Sequence, residues 1–122
     1  MTGPADVPWS PDPDAEEGFK ARFGENVRLL RAHVHVSQEE LGSRADVHRT
    51  QISMFESGQR MPLLATAVKL AAALEVELAT VLDGIVYRPR FFSAARGGFE
   101  ISSRPLFELS GRRDRPERGV DR

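Results

Sequence analysis

The sequence predicts an all-α domain, a compact bundle of five helices, followed by a β-hairpin-like extension and bounded by polar, disordered tails. Three observations lead there. Apolar residues recur at helical spacing from Phe19 to Asp83, start and stop signals cut that stretch into five, and the period drops to two after Gly84.

The first helix is carried by Phe19, Phe23, Val27, Leu30 and Val34, spaced 4, 4, 3 and 4 apart on one stripe. Ser37-Gln38-Glu39-Glu40 then reads as a capping box: the Ser37 hydroxyl accepts from the Glu40 amide, and the Glu40 carboxylate reaches back to the Ser37 amide. A second helix therefore starts at Gln38, buries Leu41 and Ala45, and stops near Asp46. A third begins at about Arg49 with Ile52 and Phe55 inward, and Ser57-Gly58 ends it, glycine being suited to the left-handed residue after a helix. Pro62 reopens the chain, and Leu64, Ala67, Leu70, Ala71 and Leu74 mark a fourth helix. A short fifth, Leu78–Asp83, offers Leu78, Val81 and Leu82 before Gly84. A domain this small buries only roughly 60% of its unfolded surface, so a partner subunit would add useful stability.

Beyond Gly84, Ile85-Val86-Tyr87 and Phe99-Glu100-Ile101 read as two short strands, giving a hairpin-like extension over residues 85–103. A lone hairpin is unstable in water and must pack on the helices or on another chain. Residues 1–18 hold four of the eight prolines and five acids without a base, which predicts a disordered arm; Trp9 is its one large apolar residue. Residues 104–122 form a polar, Arg-rich tail. Charge follows the same division: net −5 over 1–18, zero over 19–84 and +4 over 85–122, which sum to −1. Its local placement matters more than the total, because salt confines each charge to about 8–10 Å.

Several functions are disfavoured. No apolar run approaches the roughly 18 residues that span a bilayer, and the N-terminus lacks a basic segment or signal core, so a cytoplasmic location is expected. With no cysteine there are no disulfides or thiolate metal sites, and His33, His35 and His48 lack a convergent spacing; no metal or cofactor is expected. There is no phosphate-cradling glycine loop, no nucleophile with a His and carboxylate, and no evident carboxylate pair in a cleft. An enzyme is not expected.

The second and third helices meet across a short turn, and residues 37–58 form a helix-turn-helix. Gly42 and Ala45 are small enough for close approach, Asp46 tolerates positive φ at the turn, and Val47 and Ile52 plug the angle between the helices. The remaining face of the third helix is polar: Arg49, Thr50, Ser53 and Met54.

The stretch SQEELGSRADVHRTQISMFESGQRMP resembles the helix-turn-helix of the phage repressor/Cro family, the XRE-type regulators. Gln38, Leu41, Val47, Ile52-Ser53, Glu56, Gly58 and Pro62 match in order and without gaps. With its flanking helices the resemblance covers residues 19–84. Gly42 stands where alanine is usual, Asp46 where the turn glycine is usual, and Glu75 where a glycine usually follows the fourth helix. Glu75 leaves the connection between helices four and five least determined.

The resemblance implies a lambda-repressor-like domain whose third helix lies in the major groove of double-stranded DNA. Its base-reading positions fall on Arg49, Thr50 and Met54. The Arg49 fork can pair with guanine O6 and N7, and Thr50 can bond a base or phosphate or touch a thymine methyl. Met54 either makes apolar contact with thymine or fills space under the second helix. Gln38 opens the second helix, where amides and side chain can clamp a phosphate. Gln51, Ser57, Gln59 and Arg60 are phosphate candidates on the rim, or solvated polar surface, and His48 is a weak cap. Glu56 sits near a helix C-terminus, where acids are disfavoured and need compensation. The resemblance pairs it with Arg31 of the first helix.

The expected function is therefore sequence-specific transcriptional regulation by a nucleoid-associated homodimer on a near-palindromic operator, with half-sites about 34 Å apart. In the extension Tyr87, Phe91, Phe92, Phe99 and Ile101 are candidates for dimer contacts, or else cover the domain's own core. The alternative is an antitoxin or other interaction protein whose residues 85–122 bind a partner protein.

Overall fold

The computed structural model describes residues 13–89, 97–104 and 106, which form five helices and one two-stranded antiparallel sheet. The helices are α1 (Pro13–His33), α2 (Gln38–Ala45), α3 (Arg49–Glu56), α4 (Leu64–Ala73) and α5 (Leu78–Val81), and the strands β1 (Ile85–Arg88) and β2 (Gly98–Ile101). Helix α1 starts at Pro13 rather than at Phe19, so the boundary of the N-terminal arm moves back by nearly two turns. A proline is tolerated at the first helical position, and Glu17, bonded to Lys20 at 2.8 Å, suits the positive end of a helix. Helix α5 is shorter than Leu78–Asp83 and gives way to turns after Val81.

The Ser37 cap of α2 is present, its Oγ accepting from the Glu40 amide at 3.0 Å. The return half of the capping box is not. Glu40 Oε2 instead accepts from Arg44 Nε at 3.2 Å, one helical turn on. An i,i+4 ion pair has displaced the contact to the Ser37 amide.

Helix ends share one device. His35, Asp46 and Glu75 take left-handed backbone angles (φ 60°, 58° and 62°), as Gly58 does at φ 75°. After each, the next amide reaches back five residues: Val36 to the Arg31 carbonyl, Val47 to Gly42, Gln59 to Met54 and Val76 to Ala71, at 3.2, 2.9, 2.9 and 3.0 Å. This closure satisfies otherwise orphaned carbonyls and is completed by an apolar contact from the residue that follows. Val36, Val47 and Val76 supply that contact, each packed against the core. Glu75 thus adopts the conformation that a glycine would take without strain.

The core is built from Phe23, Val27 and Leu30 of α1, Leu41 and Ala45 of α2, Ile52 and Phe55 of α3, and Ala67, Leu70 and Ala71 of α4, closed by Leu74 and Val81. Phe23 and Phe55 meet edge to face at 6.2 Å. Leu106 also belongs to this core, 4% exposed, so the tail expected from residue 104 begins with a residue held by the domain.

The strands pair Ile85 with Ile101, Val86 with Glu100, Tyr87 with Phe99 and Arg88 with Gly98. Opposed residues share a face, so Ile85, Tyr87, Phe99 and Ile101 lie on one side and Val86, Arg88 and Glu100 on the other. The first side packs on α1, where Phe19 meets Phe99 at 5.2 Å and Phe99 meets Tyr87 at 5.1 Å. The second carries the Arg88–Glu100 ion pair at 2.9 Å. On that side Phe99 packs against the domain while Tyr87 and Ile101 remain 52% and 37% exposed; Phe91 and Phe92 lie outside the described residues.

Two buried polar residues of α1 fasten the end of the helical domain to this hairpin. Arg22 donates from Nε to the Asp83 carbonyl at 3.0 Å and from Nη1 to the Ser102 carbonyl at 2.9 Å, with Nη2 3.3 Å from Asp83 Oδ2. Asn26 donates its amide to the carbonyls of Val81 and Asp83, both at 2.9 Å. Neither was apparent in the sequence reading. Their signal is that they stand four residues apart, one helical turn, on a row beside the apolar stripe of Phe23 and Val27.

Candidate nucleic-acid interface

Helix α3 is a single two-turn helix, too short to hold its own orientation without tertiary contacts. Its inner face anchors it through Ile52, fully buried, and Phe55. At its N-terminus His48 supplies the cap, Nδ1 accepting from the Thr50 amide at 3.0 Å. That bond requires the tautomer with the proton on Nε2. Just before it, the turn from α2 is pressed onto Gly42: a β-carbon there would stand 2.5 Å from the Val47 carbonyl oxygen. Glycine therefore permits a closer turn than the usual alanine.

At the C-terminal end Glu56 is held on three sides. Its Oε2 accepts from Arg31 Nε at 2.7 Å and its Oε1 from Arg31 Nη2 and Gln38 Nε2, both at 3.0 Å. The Glu56 side chain is 5% exposed, and Arg31 also donates to the Val36 carbonyl at 3.0 Å. The hydrogen bond to Glu56 raises the Arg31 guanidinium above its ordinary value, burial opposes that, and the nearby carboxylate charge adds to the rise. Arg31 stays charged at any working pH. Against the same end of α3 lies Gly24 of α1, where a β-carbon would collide with the Phe55 carbonyl oxygen. The sequence reading did not pick out Gly24; a glycine inside a helical stripe was its signal.

What remains of α3 faces outward. Arg49 and Thr50, at its start, are exposed, while Gln51, Ser53 and Met54 are half-buried. Arg49 has no ion-pair partner among the described residues. The rim candidates are tied to one another. Gln59 Nε2 donates to Ser57 Oγ at 2.7 Å, Ser57 Oγ donates to the Met54 carbonyl at 3.3 Å, and Arg60 Nη1 lies 3.4 Å from Gln51 Oε1. Gln38 sits differently from expectation: its side-chain amide is turned toward Glu56, so the N-terminal amides of α2 are what it leaves toward solvent. The arrangement is a short helix pinned at both ends, presenting a guanidinium, a hydroxyl and a thioether above a rim of amide and guanidinium donors.

Among the described residues no three His, Asp or Glu side chains are placed to hold a metal, and no helix is long and apolar enough to cross a membrane. A family model described as helix-turn-helix matches residues 27–81. The chain is 40% identical over 62 residues to the control protein C.BamHI of Bacillus amyloliquefaciens, covering 50% of this chain and 76% of that one. It is also similar to the crystal structure of the restriction-modification controller protein C.AhdI of Aeromonas hydrophila, at 34% identity and a TM-score of 0.50, over 51% of this chain and 94% of that one. A hypothetical transcription factor from Neisseria superposes with a TM-score of 0.52 at 34% identity, over 62% of this chain and 85% of its own. These relatives are named as control proteins or a transcription factor and none as an enzyme.

Proposed function

The chain belongs to the helix-turn-helix family of DNA-binding regulators, and from that premise we propose that it reads operator DNA as a homodimer through α3. The observation that carries the reading is the pair Arg49 and Thr50, exposed at the N-terminal end of a helix whose other face is fully fixed. A recognition helix needs that combination, because a base contact specifies only if its backbone cannot shift to suit another base. In this reading Arg49, Thr50 and Met54 meet base edges. The α2 amides at Gln38, with Gln51, Ser57, Gln59 and Arg60, hold phosphates and fix the register. The motif residues Gln38, Leu41, Val47, Ile52-Ser53, Glu56 and Gly58 support an affiliation with the phage repressor/Cro branch, the XRE-type regulators, within the family.

One short helix reads too few base pairs for useful specificity, and two copies on half-sites about 34 Å apart remedy this. Selection of bound sites from random duplex DNA should return a near-inverted motif. Recovery of no motif at low salt would overturn the reading. In the same assay Arg49→Ala should lose about 1–3 kcal/mol of discrimination at one base pair. Uniform weakening on all sequences would place Arg49 on a phosphate instead.

A further inference from the structure

The two helices of the helix-turn-helix are capped by different chemistry. Helix α2 begins after Ser37, whose hydroxyl accepts from the Glu40 amide, and it carries Glu39 and Glu40 in its first turn. Helix α3 has no acid in its first turn, and among the described residues only His48 caps it from a side chain. The ring Nδ1 accepts from the Thr50 amide at 3.0 Å, while the His48 carbonyl accepts from the Gln51 and Ile52 amides at 2.9 and 3.2 Å. A serine cap keeps its acceptor at every pH. A histidine cap does not, because histidine side chains change charge between about pH 5 and 8.

A proton on Nδ1 turns the acceptor into a donor that faces another donor, so the bond to Thr50 is lost outright. The imidazolium also stands at the positive end of α3, where a cation is disfavoured. The charged groups that border the same surface depression are Glu39 of α2, Asp46 of the turn and Arg49 of α3. All three are exposed, as is His48 itself. The carboxylates offer a charged ring partners away from the cap, while Arg49 and the helix end repel it.

We infer that His48 is a positioning residue for α3 that works only in its neutral form: the neutral ring fastens the turn bearing Arg49 and Thr50, and protonation releases it. Helix α3 is two turns long, so losing the cap leaves its first turn free to fray. The inner anchors Ile52 and Phe55 follow one and two turns after the cap and keep the rest of the helix docked. The released turn is the one that carries the exposed base-contact candidates. Acidification therefore costs discrimination between sequences, while the added positive charge favours the phosphates of any sequence. That consequence rests on the DNA reading above; the latch itself does not.

The test compares the full chain with His48→Asn and His48→Ala at about pH 8 and about pH 5.5, on either side of the histidine range. Asparagine caps a helix as well as serine does and does not titrate, and alanine cannot cap. Comparing variants at the same pH cancels the titration of His33, His35 and the carboxylates. Without DNA, the urea midpoint of the wild type should stand above that of His48→Ala at the higher pH. At the lower pH it should fall to that level or below, with His48→Asn above alanine throughout. On DNA, the preference of the wild type for a selected site over random duplex should drop about three- to tenfold on acidification, relative to the change in His48→Asn. A midpoint gap between wild type and His48→Ala that is the same at both pH values overturns the inference. So does a wild-type preference that follows His48→Asn through the pH range. A proton-dependent gap with no selected motif at either pH would refute the DNA reading alone.

Discussion

Glu56→Ala should destabilise the domain by about 2–3.5 kcal/mol, although the residue sits at the last position of a short helix. Breaking a buried ion pair from one side typically costs about 3–5 kcal/mol, because the other charge is left without a partner. Glu56 is that kind of group, 5% exposed and accepting three hydrogen bonds. Two effects reduce the loss. Arg31 is 19% exposed and keeps the Val36 carbonyl, so water can reach part of its guanidinium. An acid removed from a helix C-terminus also relieves about 0.3–1 kcal/mol of unfavourable dipole interaction. Glu56→Gln keeps the shape and one oxygen, and should lose only about 1 kcal/mol. Urea unfolding followed by far-UV circular dichroism measures each, and a cycle with Arg31→Met isolates the pair, with an expected coupling of about 2 kcal/mol. The raised Arg31 pKa works in the same direction: a cation favoured by folding contributes below its unfolded pKa and is lost only as pH rises through the folded value, so this contribution is constant across neutral pH. A Glu56→Ala variant within 0.5 kcal/mol of wild type, or additive losses in the cycle, would refute the reasoning.

Two further substitutions test the backbone geometry around α3 and α4. Gly24→Ala places a methyl group against the Phe55 carbonyl, which must move α1 away from α3, and an overpacking loss of about 1–3 kcal/mol or more is expected in the same urea assay; an unchanged midpoint would mean that the two helices do not approach this closely. Glu75→Gly relieves a left-handed residue of about 1–2 kcal/mol of backbone strain, against about 0.5–1 kcal/mol of extra chain entropy in the unfolded state, so a net gain of about 0.5–1 kcal/mol should appear as a higher melting temperature.

The parts of the fold that the sequence made legible are those with a local cause. The stripe Phe23, Val27, Leu30 needs only a helical period, Ser37 needs only its hydroxyl two to three residues from free amides, and Gly58 needs only its missing β-carbon. Where two local causes compete, the sequence does not rank them, and Glu40 turned to Arg44 instead of back to Ser37. Non-local features were harder. Arg22 and Asn26 look like surface residues until α5 and the hairpin arrive above them with carbonyls to satisfy. The Arg31–Glu56 pair was reached through resemblance, because no spacing connects residues 25 positions apart. The inward turn of Gln38 follows from that pair, and nothing near Gln38 in the chain announces it. Glu75 is the opposite case. It looked like the weak point of the helix 4–5 connection, yet the Val76 amide and side chain hold it in the closure a glycine would use.

The restraints on α3 are distributed in a way that separates stability from recognition. Its N-terminus is fixed by the His48 cap and the Gly42 turn, its C-terminus by Glu56 and the Gly24 contact, and its inner face by Ile52 and Phe55. None of these six uses the outward positions. Arg49 and Thr50 are exposed, so their replacement removes little buried area and breaks no buried bond, and surface changes of that kind usually stay within about 0.5 kcal/mol. Met54 is the intermediate case, half-buried, and its side chain must serve both the packing under the rim and whatever lies outside. On the proposed reading, a chain built this way can change its DNA preference through Arg49 and Thr50 while its fold stays constant, but a change at Met54 must satisfy both demands at once. The exposed start of α3 is thus free to diverge because its ends and inner face are not.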